Sequence, residues 1–334
     1  MPLIRLLIVI AAIPLLAMPH AVQGGSSIRT ASRNPAGAYS TEVRFNLGSA
    51  AIQVDAVLRV AAQEVRSGVT ELLLNADLEI LELPGPGVGP YAVEPSTFTS
   101  DWNLVTVQVT GPPAEGTALP IRLRYRGVPR LPSDGINTIA PEWVELSLDT
   151  QWFPVAASLD QEMTGEVLLR LPPSWLVVAS GDVRRTGDAH LLRIEVPQVD
   201  VAFSAGPQLR LELGECFTVV SRVADLRTSR IVLAAAEDCA RYFNSLASDE
   251  VRFPGGRIVL AGREGPGYAW KNCIVLSGVD TVHVDRLHAF LCHETSHYWT
   301  RSAGARSLDH WMVEAFAEYA ASRFLGAHYG PDHF

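Results

Sequence analysis

Residues 121–126 read Ile-Arg-Leu-Arg-Tyr-Arg, apolar and cationic side chains in strict alternation. Successive side chains of a strand point to opposite faces, so this stretch predicts a strand with one buried and one wet face. Val43-Arg-Phe45-Asn-Leu47 and Val105-Thr-Val107-Gln-Val109 repeat the pattern, and further strand candidates lie at 51–61, 69–82, 143–155, 165–171, 175–180, 190–196 and 199–204. Gly, Pro and Asp punctuate them about every ten residues, with no helical periodicity between. The expectation for this half is an antiparallel β saddle or sandwich. It carries no cluster of His, Asp, Glu or Cys at ligand spacing, which favours a structural or substrate-flanking role.

After Gly214 the pattern changes. Residues 229–246 predict a helix with Ile231, Ala235, Cys239, Tyr242 and Leu246 on one face, followed by short strands at 257–261 and 272–277. Two more helices are predicted at about 285–301 and 308–325, joined by the small, polar linker 302–307. The fold class is therefore α+β and multidomain, with an N-terminal β domain over 25–212 and a second domain over 213–334.

The chain of 334 residues is 48% hydrophobic and 19% charged, a globular composition, and its formal net charge of -9 comes with no Lys/Arg block. Nucleic acid is excluded as a partner on that footprint. Arginine supplies nearly all the positive charge; Lys271 is the only lysine. Residues 1–24 combine Arg5, an apolar run over 6–17 and a small-residue exit, the pattern of a secretory signal peptide. The run is short for a membrane span, so the mature chain is expected to be exported, periplasmic or extracellular, with no stable membrane span after cleavage. Export permits disulfides among Cys216, Cys239, Cys273 and Cys292, which show no CxxC spacing and allow three full pairings. Both a bridge and a small buried apolar side chain fit Cys292.

The chemistry concentrates in His293-Glu294-Thr-Ser-His297. Positions four apart share a helix face, so both imidazoles reach one ion while Glu294 points at its open position. Two histidines and a carboxylate suit one zinc ion, which keeps a place for water and lowers its pKa. Glu314 lies seventeen positions after His297, and two antiparallel helices would bring it opposite the histidine pair. Trp311, Phe316 and Tyr319 suggest that its helix is packed rather than solvated. Glu318, one turn on, is placed to accept a hydrogen bond from a ligand imidazole. The other histidines, His283, His288, His310, His328 and His333, lack paired spacing and read as ordinary surface or core residues.

His293-Glu-Thr-Ser-His-Tyr-Trp299, followed by Trp311-Met-Val-Glu314-Ala-Phe-Ala, resembles the zinc signature of the gluzincin metallopeptidases of the aminopeptidase N family. Glu145-Leu-Ser-Leu-Asp-Thr-Gln-Trp152-Phe-Pro154 and Val199-Asp-Val-Ala-Phe-Ser-Ala-Gly206 resemble strands of that family's β domain. The resemblance implies a β saddle followed by a thermolysin-like α/β zinc-peptidase domain acting on a peptide or protein substrate. It makes His293, His297 and Glu314 the zinc ligands and Glu294 the general base.

The sequence departs from the family in three places. The connector from His297 to Glu314 is two residues shorter than usual. Where the family carries the exopeptidase segment G-A-M-E-N, this chain reads Tyr268-Ala-Trp-Lys271-Asn272, with lysine in place of the glutamate that holds a substrate's amino group. A cation there repels a free ammonium, so Lys271, beside Asn272 in the expected substrate site, is expected to attract a carboxylate on an acidic side chain or a substrate C-terminus. The alternative is an alignment offset or a solvent-facing lysine. Finally, Phe334 follows Glu314 by twenty residues, and no residue matches the family's oxyanion tyrosine, which suggests a fragment of a longer protein. Two other readings stay open: a non-catalytic peptide-binding protein on the zinc fold, and a hydrolase of a non-peptide bond on the same scaffold.

Overall fold

The computed structural model describes residues 37–333 except 112–113, 115–116, 133–134, 160, 223–224, 264–266, 271, 280–281 and 300–309. The expected signal peptide, the linker 302–307 and Lys271 lie outside the described residues.

Three sheets build the N-terminal part. The first runs β13 (Asp182–Thr186), β14 (Ala189–Gln198), β11 (Met163–Arg170), β1 (Gly37–Asn46), β2 (Ala51–Ala61), β7 (Ala118–Gly127) and β4 (Leu78–Glu82). The second runs β10 (Val155–Ala156), β3 (Val69–Asn75), β6 (Trp102–Val109) and β5 (Val88–Pro95). The third runs β12 (Leu176–Ala179), β15 (Phe203–Gly206), β9 (Trp143–Leu146) and β8 (Thr138–Ala140). The alternation at 121–126 is a strand: Ile121, Leu123 and Tyr125 of β7 face inward opposite Leu58, Ala56 and Val54 of β2. On the wet face Arg122 meets Asp55 at 2.6 Å, Arg124 meets Glu82 at 2.9 Å and Arg126 meets Glu79 at 3.3 Å. Exposed pairs of this kind add little stability and mainly keep that face soluble.

The arrangement departs from the sequence expectation in two ways. It is not wholly antiparallel, because β1 and β11 pair in parallel, far apart in the chain. Gly165 permits their close approach, since a Cβ there would collide with the carbonyl of Tyr39. The spans 143–155 and 69–82 are each two strands in different sheets. Asn75 makes the switch: its Oδ1 accepts from the backbone N–H of Asp77 (3.1 Å) and Arg130 (2.9 Å), and its Nδ2 donates to the carbonyl of Thr150 (2.6 Å).

The C-terminal part is a five-stranded sheet in the order β16 (Leu209–Leu213), β17 (Phe217–Arg222), β18 (Gly256–Leu260), β20 (Cys273–Leu276) and β19 (Tyr268–Trp270). It takes up the chain at Leu209. The inner three strands are parallel and apolar on both faces, as a sheet covered on both sides must be. Phe217, Val219, Ile258, Leu260, Ile274 and Leu276 pack on one face against α1 (Leu226–Leu246), α2 (Val284–Ser296) and α3 (His310–Tyr329). Val220, Val259 and Val275 pack on the other with Trp143 of β9 and Val178 of β12, which joins the sheet to the β part.

Helix faces differ from the periodicity reading. In α1 the anticipated Ala235 and Cys239 are buried, together with Val232, Ala236, Ala240 and Phe243, whereas Ile231 and Leu246 are exposed. In α3 the packed face is Ala317, Ala320, Ala321 and Phe324, while Trp311, Phe316 and Tyr319 are exposed, so the aromatics do not mark the packed side. Cys239 and Cys292 form a disulfide that ties α1 to α2; Cys216 and Cys273 are free thiols. No helix among the described residues is long and apolar enough to cross a membrane.

Candidate metal centre

His293 lies in the last turn of α2, and His297 caps the helix. The two aromatic residues that follow anchor this end. Tyr298 packs on Phe253 at 5.3 Å between ring centroids, Trp299 packs on Phe243 at 5.6 Å, and Trp299 Nε1 donates to the carbonyl of Val251 at 2.6 Å. The histidine pair is thereby held by buried neighbours rather than by a free helix end. Its rings stand 4.9 Å apart at 81°.

Glu314 enters from the second turn of α3, packed alongside α2. Its Oε2 is 3.3 Å from His293 Nε2 and its Oε1 is 3.7 Å from His297 Nε2. Glu318, one turn further, places Oε2 at 3.3 Å from the other nitrogen of His293, Nδ1. One ligand atom from each of His293, His297 and Glu314 lies within 4.8 Å of the other two. Ligand atoms about 2.0–2.1 Å from a tetrahedral zinc ion stand about 3.3–3.4 Å from one another. The donor set suits one zinc ion, the 3.3 Å between Glu314 Oε2 and His293 Nε2 lies near that separation, and the histidines are about one-fifth exposed.

Glu294, next to His293 on α2, is partly buried. Burial pushes its carboxyl up to about 7, opposed by His293 and reinforced by the charge of Glu314. A carboxyl poised there can take or give a proton near neutrality.

The exopeptidase-like segment is only partly described, because Lys271 is outside the described residues. Asn272 donates from Nδ2 to the carbonyl of Gly255 at 3.2 Å. The strands anticipated at 257–261 and 272–277 are not the free edge of the sheet. Among the described residues the edges are β16 and β19, and alternating patterns miss β19 because it has three residues. It is tethered through Tyr268, whose hydroxyl donates to buried Glu145 at 2.9 Å.

No family model matches the sequence, and no curated protein matches it by sequence. Solved structures do. Native leukotriene A4 hydrolase from Saccharomyces cerevisiae superposes with a TM-score of 0.67 at 16% identity, over 90% of this chain and 50% of the yeast chain. The chain has the fold of that protein over half its length. The same yeast hydrolase in complex with bestatin gives a TM-score of 0.65 at 16% identity, over 93% and 52% of the two chains. The M1 zinc metallopeptidase of Deinococcus radiodurans gives 0.61 at 16% identity, over 89% of this chain and 72% of its own. The described residues thus form a partial M1-peptidase-like α+β fold led by a β domain.

Proposed function

We propose that this chain is the zinc-binding part of an exported metallopeptidase of the aminopeptidase N type, with His293, His297 and Glu314 as ligands and Glu294 as general base. One observation carries the reading: one ligand atom from each of His293, His297 and Glu314 lies within 4.8 Å of the other two, with a carboxyl raised toward neutrality one residue away. Zinc, when bound, supplies a Lewis acid with a coordination position left for reactants. The chain's own residues supply the rest. His293 and His297 present Nε2, and Glu318 at His293 Nδ1 fixes that ring's tautomer and orientation. Glu294 takes a proton from the attacking water and delivers it to the leaving amine.

β19 pairs with no strand but β20 among the described residues, and an extended peptide would lie antiparallel or parallel to Tyr268–Trp270 as an added strand. Lys271 follows that strand directly and disfavours a free substrate ammonium, so peptides with an acidic group or a carboxyl terminus are the proposed preference. Lys271→Glu tests this by reversing the preference between free-amino and acidic peptides. A second reading, hydrolysis of a non-peptide bond on the same scaffold, draws support from neighbours with two differently named activities. Glu294→Gln tests the common chemistry: zinc binding survives and hydrolysis falls at least ~100-fold. Unchanged hydrolysis would remove Glu294 from its role.

A further inference from the structure

Asp238 of α1, His288 of α2 and His328 of α3 are separated by fifty and forty positions in sequence, yet one ligand atom of each lies within 4.8 Å of the other two. His288, read from sequence as ordinary, is 3% exposed. Its Nδ1 is 2.6 Å from the hydroxyl of Tyr329, while its buried Nε2 has no hydrogen-bond partner and faces Asp238 Oδ2 at 3.4 Å. A charge-assisted N–H···O bond would close to about 2.7–2.9 Å. The observed gap instead matches the edge of a tetrahedral ligand set, about 3.3–3.4 Å.

Each ligand is also oriented by a neighbour. Arg241 holds Asp238 through Oδ1, which leaves Oδ2 turned toward His288. With Nδ1–H donating to Tyr329 Oη, His288 keeps a lone pair on Nε2 where an ion would sit. His328 stacks on buried Phe324 at 5.0 Å and 16°, and the same ring lies 5.1 Å from His288. The Cys239–Cys292 disulfide, adjacent to Asp238 and one turn from His288, clamps α1 to α2 beside the group.

We propose that Asp238, His288 and His328 bind a second divalent transition-metal ion. Two imidazoles and one carboxylate suit zinc, cobalt or nickel rather than the all-oxygen environment of magnesium or calcium. The site is separate from the first: His288 precedes His293 by about 7.5 Å along α2, and His328 follows Glu314 by about 21 Å along α3. Its role is positional. An ion here fastens the last turn of α3 to α1 and α2, at the end of α3 away from Glu314.

The test is a zinc titration of the metal-stripped full chain, with bound zinc counted by elemental analysis after dialysis. Wild type is expected to hold two zinc ions, His297→Ala and His328→Ala one each, and the double variant none. In the His297→Ala background zinc raises Tm, and Asp238→Asn abolishes that rise with an unchanged far-UV circular dichroism spectrum. A single zinc lost in His297→Ala and kept in His328→Ala overturns the second site and leaves the first intact. A single zinc kept in His297→Ala and lost in His328→Ala supports the second site while the first fails. Two zinc ions retained in His328→Ala, or none in wild type, overturn the proposal.

Discussion

Glu145 is fully buried at the join between the β part and the C-terminal sheet, where its carboxylate accepts four groups. Arg263 donates from Nη2 at 2.7 Å and from Nε at 3.1 Å, Trp143 from Nε1 at 3.0 Å, and Tyr268 from its hydroxyl at 2.9 Å. The side chain of Arg263 is 10% exposed and that of Glu145 is 0% exposed, so neither charge has bulk water to fall back on. Glu145→Gln preserves shape and removes the charge that the Arg263 guanidinium faces at 2.7 Å. Removing one partner of a buried pair costs about 3–5 kcal/mol, and that is the predicted loss. Arg263→Met strands the opposite charge and should cost a similar amount. The double variant strands neither, so its loss should fall short of the summed singles by about 2 kcal/mol. Urea unfolding followed by circular dichroism reads this as a midpoint shift of roughly 1–1.7 M for Glu145→Gln. A loss below about 1 kcal/mol, or strictly additive singles, would refute the view that this pair fastens the two parts together.

Two further predictions concern stability. Burial pushes the Asp200 carboxyl from its ordinary 3.8 up to about 8, so between those values the unfolded chain is ionised while the folded chain keeps its proton. Stability from this group is full below about pH 4 and declines as pH rises toward 8; thermal scans should show a fall in Tm across that window that Asp200→Asn flattens. The Cys239–Cys292 bridge closes a loop of 53 residues, for which chain entropy gives about 4 kcal/mol. Cys239→Ala with Cys292→Ala should lower the urea midpoint accordingly, and reducing agent should lower wild type but not the double variant.

What could be read from sequence follows from which forces are local. β2 and β7 were legible because one face of each is buried and the other wet, so Val54, Ala56, Leu58 and Ile121, Leu123, Tyr125 alternate with polar residues. β5 and β13 were not, because their side chains are mostly exposed and no burial pattern is imposed on them. The packed faces of α1 and α3 rest on small residues, Ala236 and Ala240, Ala317 and Ala321. A reading that follows large apolar side chains turns instead toward Ile231, Trp311 and Phe316, which face outward. At the candidate metal centre the i, i+4 pair His293 and His297 is a local signal, and Glu314 needs only one helix reversal. Asp238, His288 and His328 meet through three helices with no spacing to announce them, so only tertiary packing reveals the group.

The most direct test counts zinc and peptide hydrolysis together on the full chain carrying His328→Ala, beside the same chain with Glu314→Gln, using free-amino, amino-blocked and acidic peptides. The account predicts one zinc ion with hydrolysis in the first protein, and at least ~10-fold weaker zinc binding with hydrolysis lost in the second. A chain that binds no zinc, or whose zinc and hydrolysis are indifferent to Glu314→Gln, would contradict it.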